Sequence, residues 1–309
     1  MIALKKALAE YLNLQRTLGF KLRTAGIMLN SFISFLKENK SLVITTKLAL
    51  QWATQPIHAQ PMYQAYRLCM VRHFAQYRIT QDPKTEIPSQ QLLPFRYTRK
   101  PPYLYTDNEI KKLLKAAREL SSTTGLKPET YSTLFGLLAT TGMRVSEAIH
   151  LNCADVDLTN NVIIVRESKF RKTRLVPIHP TTQRALKNYA YARNHWYPQS
   201  KSFFITETNI RLNYQAVRRV FIKLSRTIGF KSAGAHRAPH IHDLRHRFAL
   251  STVIRWYRTG IDVEKHLPKL STYMGHVMIT YTYWYLTAVP ELLRLAAQRL
   301  DHLKGDTML

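Results

Sequence analysis

Between residues 81 and 104 the chain reads QDPKTEIPSQQLLPFRYTRKPPYL, with five prolines and few periodic apolar positions. Proline removes a backbone donor and clashes with the preceding turn of a helix, so no helix runs through this stretch, and clustered prolines stiffen a connector. The fold is thereby expected to divide into a unit over residues 1–95, a linker over 96–103 and a second unit over 104–309. A chain of 309 residues suits about two domains, each able to bury its own core.

On both sides of the prolines the apolar spacing is helical. The segments ALAEYLNLQRTLGF, AGIMLNSFISFLKEN, KLALQWATQ and MYQAYRLCMVRHFAQYRI repeat apolar residues at three and four, which predicts four N-terminal helices. Past the linker, Thr106 and Glu109 form a capping-box pair ahead of NEIKKLLKAAREL. A second helix, TYSTLFGLLATTG, stops at Gly142, and a third starts near Val145, leaving Met143 and Arg144 at the junction. Residues 155–178 alternate apolar and polar in short bursts between turn residues, the pattern of a small antiparallel sheet. TTQRALKNYAYARNHW, NYQAVRRVFIKLSRTIGF and IHDLRHRFALSTVIRWYRTG then return to helical spacing. The expected class is mainly α with one small antiparallel β-sheet.

Charge restricts the partners. Lys and Arg number 46 against 19 Asp and Glu, a formal net charge of +27 and a pI near 10.2. Such a surface repels itself unless it meets a polyanion, and nucleic acid is the usual one, ahead of a membrane surface or a ribosomal setting. Arg67 and Arg72 lie on the fourth helix with His73 and Arg78, and are expected to touch DNA. Cys69 and Cys153 fall in different units, which speaks against a disulfide and for a reducing compartment. The N-terminus breaks its apolar residues with charges, unlike a signal peptide, and no run of 18 apolar residues occurs. A soluble, cytoplasmic protein is expected.

Phosphodiester transfer without a metal needs a nucleophile, cations on the non-bridging oxygens and a proton donor for the departing hydroxyl. The sequence lacks HExxH, paired CxxC and the glycine-rich nucleotide loops, so neither a metal nor another cofactor is expected. Three segments hold the needed parts: TTGMRVSEAIHL, HIHDLRHRFA and YMGHVMITYTYWYL. Guanidinium groups bind phosphate bidentately and keep their charge at all pH values, which suits Arg144. Glu147 lies three residues on along one helical face and braces the site. His242 and Arg245 share a face by the same spacing. Tyr281, Tyr283 and Tyr285 crowd the third segment, and periodicity does not choose among them.

In these three boxes and their order, the sequence resembles the tyrosine recombinase (phage integrase) family over roughly residues 104–300. The resemblance implies that Arg144 and Arg245 clamp the scissile phosphate, that His242 transfers a proton and that His276 hydrogen-bonds the phosphate. The family interval of nine residues after His276 makes Tyr285 the nucleophile of a 3′-phosphotyrosyl intermediate. ESKFRKTRLVPI resembles the family's sheet hairpin, which makes Lys169 the acid for the leaving 5′-hydroxyl. Ser168 and Phe170 stand where the family has glycines, and Lys172 is a rival. Arg171, Lys172 and Arg174 in that hairpin, and Arg218 and Arg219 downstream, are candidate DNA contacts.

The resemblance further implies a four-helix core-binding domain, a C-shaped clamp on double-stranded DNA and a tetramer joining two specific recombination sites. Strands would exchange through a Holliday junction without ATP, with accessory recombinases or DNA-bending proteins as further partners. LTAVPELLRLAAQRLDHL resembles the tail of transposon-borne recombinases. Its stripe of Leu292, Leu295, Ala296, Leu300 and Leu303 is expected to dock on a neighbouring protomer or on its own domain. A type IB topoisomerase uses the same chemistry, and a non-catalytic DNA-binding protein with NYQAVRRVFIKLSRTIGF as recognition helix would share the charge.

Overall fold

The computed structural model of the chain describes residues 2–94, 102–166, 173–230, 238–276, 278, 280, 282–283 and 294. Lys169, Arg171, Lys172, Tyr285 and the apolar stripe of the tail lie outside them. The chain divides into two compact units, Met1–Arg99 and Lys100–Leu309. No helix of the described residues is long and apolar enough to cross a membrane.

The first unit contains α1 (Ile2–Thr17), α2 (Arg23–Glu38), α3 (Thr46–Thr54) and α4 (Pro61–Arg78). Their apolar stripes close on one core around Leu8, Leu29, Phe32, Trp52, Val71 and Phe74. Local chemistry sets the ends: the Thr45 hydroxyl accepts from Leu48 N, and Pro61 opens α4 where no amide partner is needed. Two arginines expected on DNA are used inside this unit instead. Arg67 stacks on the Trp52 ring at 3.8 Å and donates to the Trp52 carbonyl at 2.6 Å. Arg72, 9% exposed, donates from Nε to Pro88 O and from Nη2 to Ser89 O, both at 2.7 Å. Arg72 therefore brackets the proline-rich segment to α4 in place of the phosphate contact expected of it.

The second unit contains α5 (Asp107–Arg118), α6 (Leu126–Thr141), α7 (Val145–Ile149), β1 (Val156–Asp157), β2 (Val162–Val165), β3 (Arg174–Pro177), α8 (Pro180–Trp196), α9 (Tyr214–Ile228), α10 (Asp243–Arg258) and α11 (Val263–Met274). The capping box forms as expected: the Thr106 hydroxyl accepts from Glu109 N, and the Glu109 carboxylate accepts from Thr106 N. Helix α6 is buried over most of its residues, Thr130, Ser132, Thr133 and Thr141 included, and packs against α5, α8 and α10. The three strands pair antiparallel in the order β1-β2-β3, with Ile163 opposite Val176 and Val165 opposite Arg174. Ile163, Val165 and Val176 face the core while Leu175 is exposed, the period-two pattern of a sheet with one buried face. Mainly helical structure with one small sheet is what the sequence predicts.

Helix α11 has no counterpart among the helices read from the sequence, because Pro268 interrupts its pattern. Val263, Leu267, Leu270 and Met274 nevertheless bury one stripe against α10. The Asp262 side chain caps the helix by accepting from Glu264 N and Lys265 N. Burial and the cap outweigh the proline.

Candidate active site

The site is built where two helices end. Helix α6 stops at Gly142, whose φ of 61° lets its amide reach back to Leu138 O at 3.0 Å. A β-carbon there would stand 2.5 Å from Phe248 Cδ1, so the turn admits glycine for reasons of space as well as conformation. The chain then reverses directly into α7, which puts Arg144 at its N-cap. Arg144 N donates to Glu147 Oε2 at 2.9 Å and Arg144 Nη1 to Oε1 at 2.7 Å.

Glu147 has a second cation. Arg174, on β3, donates from Nη1 and Nη2 to the two oxygens at 3.0 and 2.8 Å. Burial alone would raise the Glu147 pKa, but hydrogen bonding and charge from Arg174, then Arg144, hold it at about 2. The sequence expectation put Arg174 on DNA. The fold encloses it instead, with its side chain 10% exposed and all three guanidinium nitrogens engaged.

The C-terminus of α11 collects three arginines. Gly275, at φ 68°, and His276 form a Schellman turn, with Gly275 N donating to Thr272 O and His276 N to Ser271 O, both at 2.9 Å. That leaves the carbonyls of residues 273, 274 and 275. Arg174 Nε donates to Tyr273 O at 2.8 Å, Arg245 Nη2 to Met274 O at 2.7 Å and Arg144 Nη2 to Gly275 O at 3.1 Å. A helix C-terminus carries partial negative charge and orphan acceptors, so it is a natural hub for cations. Arg245 also donates from Nη1 to Gly142 O at 2.7 Å, tying the two helix ends together, and is 2% exposed.

Two histidines complete the cluster. His242 immediately precedes α10 and is exposed, while Asp243 beside it is buried and accepts from His240 N at 2.8 Å. His276 Nδ1 stands 2.8 Å from Oγ1 of the buried Thr282. Burial, then the positive charges of Arg245, Arg144, Arg174 and His242, push the His276 pKa down to about 3, so the ring is neutral at physiological pH. Among the described residues, three guanidinium charges against the carboxylates of Glu147 and Asp243 leave the cluster net positive, the electrostatics of an oxyanion site.

The structure thus brings Arg144, Glu147, Arg245 and His276 together, with His242 close enough to act on His276 by charge. Arg218 and Arg219 are exposed on α9, beside Lys223 and Arg226. Sequence reasoning missed the bracing role of Arg174, which no local signal marks, because the strand that carries it lies 27 positions from Glu147. It also missed Thr282, which no motif marks.

The phage integrase family matches residues 104–291. A putative integrase/recombinase of Sinorhizobium fredii, y4rB, is 45% identical over 307 residues, covering 97% of this chain and 98% of that protein. The chain belongs to the phage integrase family and is a tyrosine site-specific recombinase. Its fold is similar to that of the Tn1549 transposon integrase in complex with a circular intermediate DNA, at 16% identity and TM-score 0.67 over 96% of this chain and 99% of that one. It is also similar to a lambda integrase tetramer bound to a Holliday junction, at 17% identity and TM-score 0.60 over 90% and 78% of the two chains. The comparisons give the topoisomerase and non-catalytic readings no support.

Proposed function

We propose that this chain cuts and rejoins double-stranded DNA at specific sites through a 3′-phosphotyrosyl bond to Tyr285. The observation that carries the reading is the convergence of Arg144 and Arg245, from two separate helices, on the end of α11 immediately before His276. Arg144 and Arg245 bind the non-bridging oxygens of the scissile phosphate, and Glu147 holds Arg144 in place. His276, neutral, contributes a hydrogen bond and no charge.

The Tyr285 oxygen attacks phosphorus in line with the 5′ oxygen, so the new P–O bond forms as the old one breaks. His242 takes the phenol proton, and Lys169 supplies one to the departing 5′ oxygen. A free phenol has a pKa of about 10, and the net positive charge of the cluster favours its ionised form. Rejoining runs the steps backwards, with a 5′-hydroxyl of the exchanged strand displacing tyrosine. One phosphodiester is kept throughout, which is why no ATP is needed.

Arg218 and Arg219 on α9 supply phosphate contacts, and a helix fits the major groove. The active form is a tetramer on two sites that resolves a Holliday junction, aided by accessory recombinases or DNA-bending proteins. It serves integration or transposition of a mobile element on nucleoid DNA in the cytoplasm. The test is Tyr285→Phe, which removes one oxygen and no charge. Covalent adducts on a denaturing gel should vanish while DNA retardation stays nearly unchanged. Adducts that persist would move the nucleophile to Tyr281 or Tyr283.

A further inference from the structure

The Thr282 hydroxyl has no task in the chemistry above, yet it is a polar group set directly against the imidazole. Thr282 is fully buried, and its Oγ1 stands 2.8 Å from His276 Nδ1. A buried hydroxyl has to place its proton on an acceptor. Among the described residues, His276 is the hydrogen-bond partner of this one.

Because burial and the surrounding guanidinium charges keep the ring neutral, it has one N–H and one lone pair. Two arrangements follow from the 2.8 Å contact. With the hydrogen on Nδ1, the ring donates to Oγ1. The threonine proton then needs another acceptor in an enclosed site, and Nε2 presents a lone pair that repels an oxyanion. With Nδ1 bare, one bond satisfies both groups and Nε2 carries the hydrogen.

We propose that Thr282 is the positioning residue of His276: its hydroxyl donates to Nδ1 and so fixes the tautomer whose hydrogen is on Nε2. That tautomer donates a hydrogen bond to a phosphoryl oxygen and does not act as a base there. The effect matches the way a fixed partner on one ring nitrogen decides the role of the other. The proposal rests on the reading of His276 as a phosphate donor and deepens it.

The tautomer is read directly in the full-length protein, with nitrogen-labelled histidine and long-range proton–nitrogen NMR, without DNA. The His276 signals are those lost in His276→Gln. The expected pattern is Nε2–H in the wild type and in Thr282→Ser, which keeps the hydroxyl, and a shift toward Nδ1–H in Thr282→Val. A wild type with Nδ1–H overturns the proposal, and this measurement stands even where the valine variant fails to fold.

The second reading is the rate of adduct formation on the duplex at which the wild-type protein is trapped. Thr282→Val should fall toward the rate of His276→Ala, a loss of up to about 10²-fold, the scale of one missing oxyanion donor, with DNA affinity unchanged. Thr282→Ser should restore it. A valine variant that cuts at the wild-type rate overturns the proposal. A wild-type rate in His276→Ala overturns the reading of His276 itself, and leaves the tautomer assignment as a separate result.

Discussion

Two guanidinium groups share one carboxylate at Glu147, and the geometry separates their duties. Arg174 spends all three of its nitrogens within the protein, whereas Arg144 uses its two terminal nitrogens and keeps a side chain 24% exposed. Arg174→Ala should therefore cost roughly 3 kcal/mol in thermal or urea unfolding, as expected when a buried ion pair loses one partner. The same change should leave the salt slope of DNA binding intact, while Arg219→Ala should flatten that slope by about one. A reduced slope for Arg174→Ala would return this residue to the DNA surface. Glu147 also predicts an acid limb. Its pKa is depressed from 4.5 to about 2, so its contribution is complete above 4.5 and is lost as pH falls through about 2. Unfolding measured between those values should show this loss in the wild type and less of it in Glu147→Gln.

Helix ends, more than helix bodies, make the site. Gly142 and Gly275 both sit at positive φ, and the carbonyl of each is held by an arginine from elsewhere in the chain. At Gly275 a β-carbon would stand 2.8 Å from Arg174 Nη1. Gly275→Ala should thus add about 1 kcal/mol of left-handed strain and displace the guanidinium that braces Glu147. Adduct formation in a single turnover should drop by about 10²-fold, the scale of a small misplacement in a phosphoryl site, with retardation of the duplex largely kept. An alanine variant with wild-type cleavage would show that the three-arginine hub is not needed for chemistry. Much at this scale was legible in sequence, because stop and start signals are local: the Thr106–Glu109 box and the glycine after α6 mark real ends. Helix α11 was not, since its proline spoils the pattern and only packing against α10 reveals why the helix survives.

For the whole molecule, the charge of +27 is the property that reaches furthest. For about 6 to 10 phosphate contacts, affinity should fall by roughly 10³ to 10⁵ between 50 and 200 mM salt. A flat response in retardation or anisotropy titrations would rule out a large footprint. Not every arginine counts toward that number, because Arg67, Arg72 and Arg174 are bonded inside the units. By itself the sequence determined the sheet and the helices other than α11, through period and turn chemistry acting over a few neighbours, and the family, through boxes that keep their order along the chain. It also supplied the residue types that phosphate chemistry requires. Only the tertiary structure decided which cations brace and which remain exposed, because the deciding partners are remote: Gly275 lies 131 positions from Arg144, and Gly142 lies 103 from Arg245. It likewise decided that His276 is neutral and that Thr282 stands against it, since charge state depends on burial and on the field of groups that no stretch of sequence places side by side.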